Sequence, residues 1–384
     1  MEKKKLLLVS LGHLSCDVNG GALPSALPYL RSAYNLDYQA AGGLMFAYSC
    51  LSSIIQPLFG WLADRHKKPW FIPLGVAMAG CGMSFMAIMN NYWIIFIGIA
   101  ISGIGSAFFH PEGARFANRV SGKSKGTGLS FFSIGGNAGF IIGPLLVTLF
   151  AGAFGLAGLG VFAVLGLITA GCLFYGISRM QDSSPAQTLD RTGIAAQEKQ
   201  NNWKEFSKLV FVIIPRSIVF MGCNTFIPLY WINAFGQDKA VGAIALAVFG
   251  ACGVGFNIVG GFLSDRVGYI NVIRIAFAVM PLAVFLFGWT NNLIFAWFLL
   301  PALGFALYLP FSAQVVLGQQ LLSRNMGLAS GITLGLATSL GGVAQPVLGW
   351  IADNNGLHTI FFTLAAFSLV GLAASFCLSR KLHA

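Results

Sequence analysis

The chain has 384 residues, 56% of them hydrophobic and only 9% charged, with a mean hydropathy of +0.76 and a formal net charge of +11. Soluble domains carry about 25% charged residues, so a water-soluble fold is excluded, and apolar runs without period-2 alternation exclude a membrane barrel. The positive balance would suit a polyanion such as nucleic acid, but the placement of the charges gives it another meaning.

Long apolar runs predict twelve membrane-spanning helices, since about 20 apolar residues cross the hydrocarbon core. The first six cover residues 6–30, 39–63, 70–89, 92–118, 126–150 and 155–178. A polar stretch from Arg179 to Glu205 follows and reads as a linker. The last six cover 206–234, 240–264, 268–289, 293–322, 326–352 and 357–379. Two six-helix domains follow, 1–178 and 206–384, joined by 179–205. If the spans alternate, Lys3, Lys4, Lys5, Arg65, Lys67, Lys68, Arg119, Lys123, Lys125, Arg266, Arg274, Arg324, Arg380 and Lys381 all fall on one side. Only Arg31 and Lys239 fall in loops on the other. The positive-inside rule then places both termini and the linker in the cytoplasm, and the basicity encodes topology rather than a nucleic-acid partner.

The seven cysteines lie within apolar spans without CxxC spacing, so neither a disulfide framework nor a zinc site is expected, and no cofactor is indicated. The first span carries His13, Asp17 and two prolines and is too long for a signal-peptide core. Gly122-Lys123-Ser124 mimics part of a phosphate loop, but Ala117 stands where the first glycine belongs, and a helix rather than a strand precedes it.

One phrase recurs. Gln56-Pro57-Leu58-Phe59-Gly60-Trp61-Leu62-Ala63-Asp64-Arg65 returns as Gly260-Gly261-Phe262-Leu263-Ser264-Asp265-Arg266 and as Gln345-Pro346-Val347-Leu348-Gly349-Trp350-Ile351-Ala352-Asp353. The halves align at an offset of about 200 residues, Asp64 on Asp265 and Pro111 on Pro310. The third copy closes a span on the side opposite the first. Inverted three-helix units within each half have this signature, which points to a secondary transporter.

Few charges lie inside the spans: Asp17, Glu112, Arg115 and Arg216, with His13 and His110 beside them. A charge at the bilayer centre costs roughly 2.5–3.5 kcal/mol on insertion scales, so each must face a partner or a wet cavity. His13 and Asp17, four residues apart, share a helix face. Gly20, Gly21 and Pro24 are expected to weaken the helix just beyond. Glu112 and Arg115, three apart, can pair, and Arg115 can equally snorkel to the surface. Arg216 lies about 12 Å from Lys208 along its helix, too deep for that. Its guanidinium suits a phosphonate or carboxylate. Glycines at GxxxG spacing, Gly135, Gly139 and Gly143, then Gly327, Gly331 and Gly335 with Ser339, suit close helix approach.

Gly12-His13-Leu14-Ser15-Cys16-Asp17-Val18-Asn19-Gly20-Gly21-Ala22-Leu23-Pro24, the Gln56–Arg65 phrase, Phe109-His110-Pro111-Glu112-Gly113-Ala114-Arg115 and Ser133-Ile134-Gly135-Gly136-Asn137-Ala138-Gly139 through Gly143-Pro144 carry a resemblance. Over essentially its whole length the chain resembles the major facilitator superfamily and, within it, the fosmidomycin-resistance proteins. It departs at Lys67, where the loop signature has glycine, and at Ile99, where an arginine is usual. The resemblance implies an all-α polytopic fold of two pseudo-symmetric six-helix bundles in a bacterial cytoplasmic membrane. It implies no enzyme activity. Spans 1, 4, 7 and 10 are then expected to line a cavity and gather the buried polar residues around one site. Asp17, assisted by His13 and by Glu112 with His110, is expected to carry the proton. Substrate contacts are expected of Arg216, Asn19, Asn137, Asn224, Gln314 and Arg115. Asp64, Arg65, Asp265 and Arg266 are expected to serve the conformational switch. The partners are a small-molecule substrate, protons and the lipid bilayer, with the monomer functional. The function implied is proton-coupled export of small anionic or drug-like compounds such as fosmidomycin-like phosphonates. Proton-coupled uptake of an organic anion stands as the alternative, and a non-transporting membrane sensor as a remote one.

Overall fold

The computed structural model describes residues 2–56, 58–59, 70–122, 125–178 and 201–379. Among them are the helices α1 (Lys3–Tyr34), α2 (Tyr38–Ile54), α3 (Phe71–Met83), α4 (Phe85–Ile88), α5 (Tyr92–Val120), α6 (Lys125–Phe154) and α7 (Val161–Ser178). The second half contains α8 (Trp203–Phe235), α9 (Lys239–Val267), α10 (Tyr269–Trp289), α11 (Leu293–Tyr308), α12 (Phe311–Leu321), α13 (Met326–Asn355) and α14 (Leu357–Phe376). No strand forms among the described residues; an isolated bridge joins Asn201 to Leu322. Among the described residues, nine candidate spans are long and apolar enough to cross a membrane. With α3 continued by α4 and α11 by α12, the helix order is consistent with the twelve expected passes. Residues 179–200, most of the expected linker, lie outside the described residues, and α8 begins at Trp203.

The helix starts follow from local chemistry. Asp37, Asn91, Asn202 and Asn292 stand just before α2, α5, α8 and α11, and their side chains accept from the first free N–H groups. Asn35 and Gly236 end α1 and α8 in the left-handed region, at φ 50° and 62°. Tyr34 Oη donates to the Met89 carbonyl at 2.9 Å, and Tyr230 meets His358 Nδ1 at 2.8 Å. Both tie together loops at the end of the molecule remote from the termini, here called the distal end.

The expected weakening of α1 does not occur: the helix runs unbroken through Pro24 and Pro28. Gly20 and Gly21 serve instead as points of close approach. A Cβ on Gly21 would stand 2.6 Å from Phe140 Cα, and one on Gly20 would stand 2.8 Å from the Tyr48 hydroxyl. The glycine seam of α6 works the same way. A Cβ on Gly139 or Gly143 would stand 2.7 or 2.5 Å from the backbone of Val18, and one on Gly135 would collide with the Ser10 carbonyl. This seam therefore joins α1 to α6 within the first half. In α13 a Cβ added at the GxxxG positions Gly331 and Gly335 would meet nothing within 4 Å among the described residues, while one at Gly341 or Gly342 would crowd Ser217 or Ser49.

Apolar packing follows the two halves. One core cluster runs from Phe206 to Leu378, and two others draw on residues 6–177, with Met221 and Phe220 of the second half packed into one of them. The halves meet where α2 lies along α13.

Candidate functional site

The α1–α6 seam sets up the polar centre of the first half. His13 and Asp17 project from α1 and are 8% and 6% exposed. His13 Nδ1 donates to the Phe132 carbonyl on α6 at 2.7 Å, and its ring stacks on Phe132 with centroids 4.0 Å apart. Its Nε2 stands 3.1 Å from Asp17 Oδ2. The other carboxylate oxygen, Oδ1, is 3.1 Å from Nε2 of His110 on α5, and His110 Nδ1 donates to the Ser106 carbonyl at 2.8 Å.

This geometry fixes a count of protons. Carbonyl oxygens only accept, so both Nδ1 atoms carry hydrogen. A neutral imidazole so oriented presents a bare Nε2 lone pair to the carboxylate. Each Nε2–oxygen contact therefore holds only with a proton between the atoms. The cluster has places for two such protons, and its net charge runs from −1 with neither to +1 with both. Its donor atoms lie within 4.8 Å of one another, a set of metal-ligand type. Each Nε2 is already at hydrogen-bond distance from a carboxylate oxygen, so the arrangement is one of proton sharing.

Gly136 makes room for it. A Cβ there would stand 2.5 Å from His13 Nε2 and 2.7 Å from Asp17 Oδ2. Gly136→Ala is expected to split this contact at an overpacking cost of about 1–3 kcal/mol. In a purified, folded variant, proton-driven transport should fall well below wild type while substrate still binds. Unchanged proton-driven transport would show that the carboxylate–imidazole distance does not matter.

His110 and Glu112, both expected to assist Asp17, are turned to different partners. His110 reaches across to Asp17, while Glu112, fully buried, accepts from Arg115 Nη2 at 2.7 Å on its own helix. Three residues along a helix bring Glu112 and Arg115 together, whereas His110 points at α1. Arg115 is thus held in an ion pair.

The second half has its own polar centre. Pro310 has no N–H to give to the carbonyl four residues back, the helix breaks between Tyr308 and Phe311, and at the break the Leu307 carbonyl accepts from Arg216 Nη1 of α8 at 3.0 Å. The guanidinium lies 5.5 Å from the Phe311 ring centroid. Arg216 is 3% exposed and its Nε has no acceptor; Gln314, one turn beyond Phe311, is buried with both amide atoms unpartnered. Asn19 gives its Nδ2 to the Ser15 and Cys16 carbonyls and leaves a buried Oδ1 without a donor. Asn224 bonds back to the Phe220 carbonyl at 2.8 Å, and Asn137 is half-buried. Among the described contacts the expected residues thus gather about two centres, Asp17 and Arg216. Among the described contacts the charged groups facing Asp17 are the two histidines; Arg216 faces Leu307 and Phe311.

Of the expected switch residues, Asp64 and Arg65 lie outside the described residues. Asp265 and Arg266 are exposed, and Asp265 lines an open cavity of about 290 Å³ with Tyr269 and Ser312. Phe132, Ser106, Gly136 and Leu307 were not anticipated. Three of the four act through backbone carbonyls, which every residue carries, so only the helix packing reveals them. Gln345, fully buried with an unpartnered Oε1, also escaped notice although it stands in the recurring phrase.

The family profile described as Major Facilitator Superfamily matches residues 9–346. The chain is 26% identical to the fosmidomycin resistance protein of Escherichia coli (strain K12) over 379 residues, which cover 96% of this chain and 91% of that protein. It is 24% identical to the hexuronate transporter of Escherichia coli (strain K12) over 403 residues, 95% of this chain and 91% of that one. A solved bacterial homologue of the human lysosomal transporter Spinster, inward-facing and occupied, matches with a TM-score of 0.78 over 98% of this chain and 96% of its own. At 16% identity that likeness is one of fold.

Proposed function

We propose, from the premise that this chain belongs to the Major Facilitator Superfamily, that this multi-pass membrane transporter is a proton-coupled exporter of small anionic organic compounds, fosmidomycin-like phosphonates first among them. The observation that carries the reading is the Asp17 carboxylate bridged by His13 and His110 in the first half, with a buried, incompletely partnered Arg216 in the second. The first can take up and give back protons; the second can hold an anion. Both belong to one alternating-access cycle between two six-helix domains, 1–178 and 206–384, joined by 179–205, with both termini cytoplasmic. The polar atoms left unpartnered on Asn19 and Gln314 suit a ligand that brings hydrogen-bonding groups of its own, since a buried unmet group costs about 1–3 kcal/mol. Asn137, Asn224 and the Glu112–Arg115 pair complete the proposed polar lining. The fosmidomycin resistance protein among the relatives supports the direction and the substrate class.

The test is twofold. Expression should raise tolerance to phosphonates in a susceptibility panel. In vesicles, a pH gradient of one sign should drive labelled phosphonate against its own gradient. Accumulation under the opposite sign, without added tolerance, would favour the second reading, uptake of an organic anion, for which the hexuronate transporter among the relatives speaks.

The switch is proposed to use Asp64 with Arg65 and Asp265 with Arg266, on the cytoplasmic side. Asp64→Asn is expected to lower turnover while substrate affinity stays intact, because a switch residue acts on the balance of conformations rather than on the ligand. Lost affinity at normal turnover would count against the assignment.

A further inference from the structure

The third copy of the recurring phrase has a use that neither polar cluster absorbs. Gln345, Pro346, Gly349 and Asp353 are spaced so that they lie along one face of α13, and that face meets the first turns of α2 in the other half. A Cβ on Gly42 of α2 would stand 2.7 Å from the Gln345 carbonyl carbon and 3.0 Å from the Pro346 nitrogen. Nearer the distal end, a Cβ on Gly349 would stand 2.6 Å from the Tyr38 carbonyl carbon and 2.7 Å from Gln39 Cα. Beyond both contacts, the Asp353 carboxylate accepts from the Tyr38 N–H through Oδ1 and the Gln39 N–H through Oδ2, each at 2.8 Å.

An α-helix leaves its first four N–H groups without partners inside the helix. In α2 the Ala41 N–H makes the first regular helix bond, to the Asp37 carbonyl at 3.2 Å, and the Asp37 side chain takes the Ala40 N–H at 2.6 Å. Among the described residues, the N–H groups of Tyr38 and Gln39 are satisfied by a carboxylate from the opposite half. Asp353 also sits in the last turn of α13, where a negative charge opposes its own helix dipole. Its position is unfavourable for α13 and favourable only for α2.

We propose that Asp353 is the latch of the distal gate: its carboxylate caps α2 across the interface between the halves and holds their distal ends together until the transporter opens there. Opening strips the carboxylate of two donors at once and returns the N–H groups of Tyr38 and Gln39 to water, so the latch favours the state closed at this end. Gly42 and Gly349 permit the close backbone approach without which the carboxylate would not reach. Of the six positions that the first and third copies of the phrase share, four, Gln, Pro, Gly and Asp, fall on this one contact face of α13.

Hydrogen–deuterium exchange on the purified full-length protein tests this without any transport assay, so its failure and that of the exporter reading are separable. In Asp353→Ala, amides of α2 from 38 to 50 and of α13 from 342 to 353 should exchange faster together. The expected increase is roughly 3- to 30-fold, the range for a lost helix cap, with α14 unchanged. Asp353→Asn, which keeps one acceptor oxygen but no charge, should lie between. Gly349→Ala, which leaves the carboxylate in place but pushes Tyr38 away, should give the same paired increase. Where Asp353→Ala fails to fold, the other two variants decide. Faster exchange confined to residues 38–40, with α13 as in wild type, would reduce Asp353 to a local cap and overturn the latch. Wild-type exchange in all variants would overturn it equally.

Discussion

Asp17→Asn is expected to abolish transport driven by a pH gradient while sparing exchange of substrate for substrate. The side chain is nearly isosteric, so the fold should survive. Its amide can offer one N–H to a bare Nε2, satisfying one of the two 3.1 Å contacts. The other contact keeps an oxygen facing a nitrogen and still needs a proton, but the carboxylate charge that would hold that proton is gone. Leaving a buried ion without its partner costs about 3–5 kcal/mol, so the protonated form becomes rarer by roughly two to three decades or more. Proton-driven flux should therefore fall by at least about a hundredfold. The check is uptake into vesicles with and without an imposed gradient, alongside counterflow at equal pH. Counterflow near wild-type level with gradient-driven flux lost is the expected pair of results.

His110→Gln sharpens the same test. Glutamine can reach Asp17 from α5 but brings no titratable nitrogen, so the cluster keeps one proton site instead of two. Gradient-driven flux should persist at a reduced rate, with fewer protons moved per substrate. Retention of full gradient-driven transport in both Asp17→Asn and Glu112→Gln would remove the proton role from these carboxylates altogether.

The sequence made some of this plain and hid the rest for physical reasons. Apolar runs marked α5 and α10 almost to their ends, because a lipid-facing helix must be apolar along its whole length. The pairs His13–Asp17 and Glu112–Arg115 were legible because helical spacing alone brings them together. The contact of His110 with Asp17 was not legible because its partner lies on another helix. Which residues of α1 and α5 meet depends on the glycine seam that draws α6 onto α1, and spacing along one chain carries no measure of that depth. Prolines misled in both directions. Pro24 and Pro28 leave α1 whole, as neighbouring helices allow in membrane proteins, whereas the helix breaks at Pro310. There the freed Leu307 carbonyl finds a cation in Arg216, a partner visible only in three dimensions. The phrase ending in Asp353 was recognised as a repeat, but its use as a cap on α2 depends on an interface between halves more than 300 residues apart in sequence.

Arg216→Ala is expected to weaken an anionic ligand far more than a neutral one. The guanidinium is buried and gives one hydrogen bond, to the Leu307 carbonyl, while Nε has no acceptor. A cation left in that condition is costly, and an anion that fills the open side of the fork offsets the cost. A hydrogen bond to a charged group contributes about 1.5–3 kcal/mol, so the variant should lose roughly 10- to 150-fold in affinity for a phosphonate. A neutral ligand of similar size should lose little. Arg216→Lys keeps the charge but offers a single point in place of a planar fork. It should therefore fall well below wild type for a phosphonate, by more than a charge argument alone allows, and still bind better than Arg216→Ala. A purely structural Arg216, needed only to occupy the Leu307 carbonyl at the helix break, predicts something else. Both ligands would then weaken together, and lysine, which can still donate to that carbonyl, would restore both. Titration calorimetry with a matched anionic and neutral pair on the three proteins separates these outcomes. Equal losses for the two ligands in Arg216→Ala would take the anionic-substrate reading down with them.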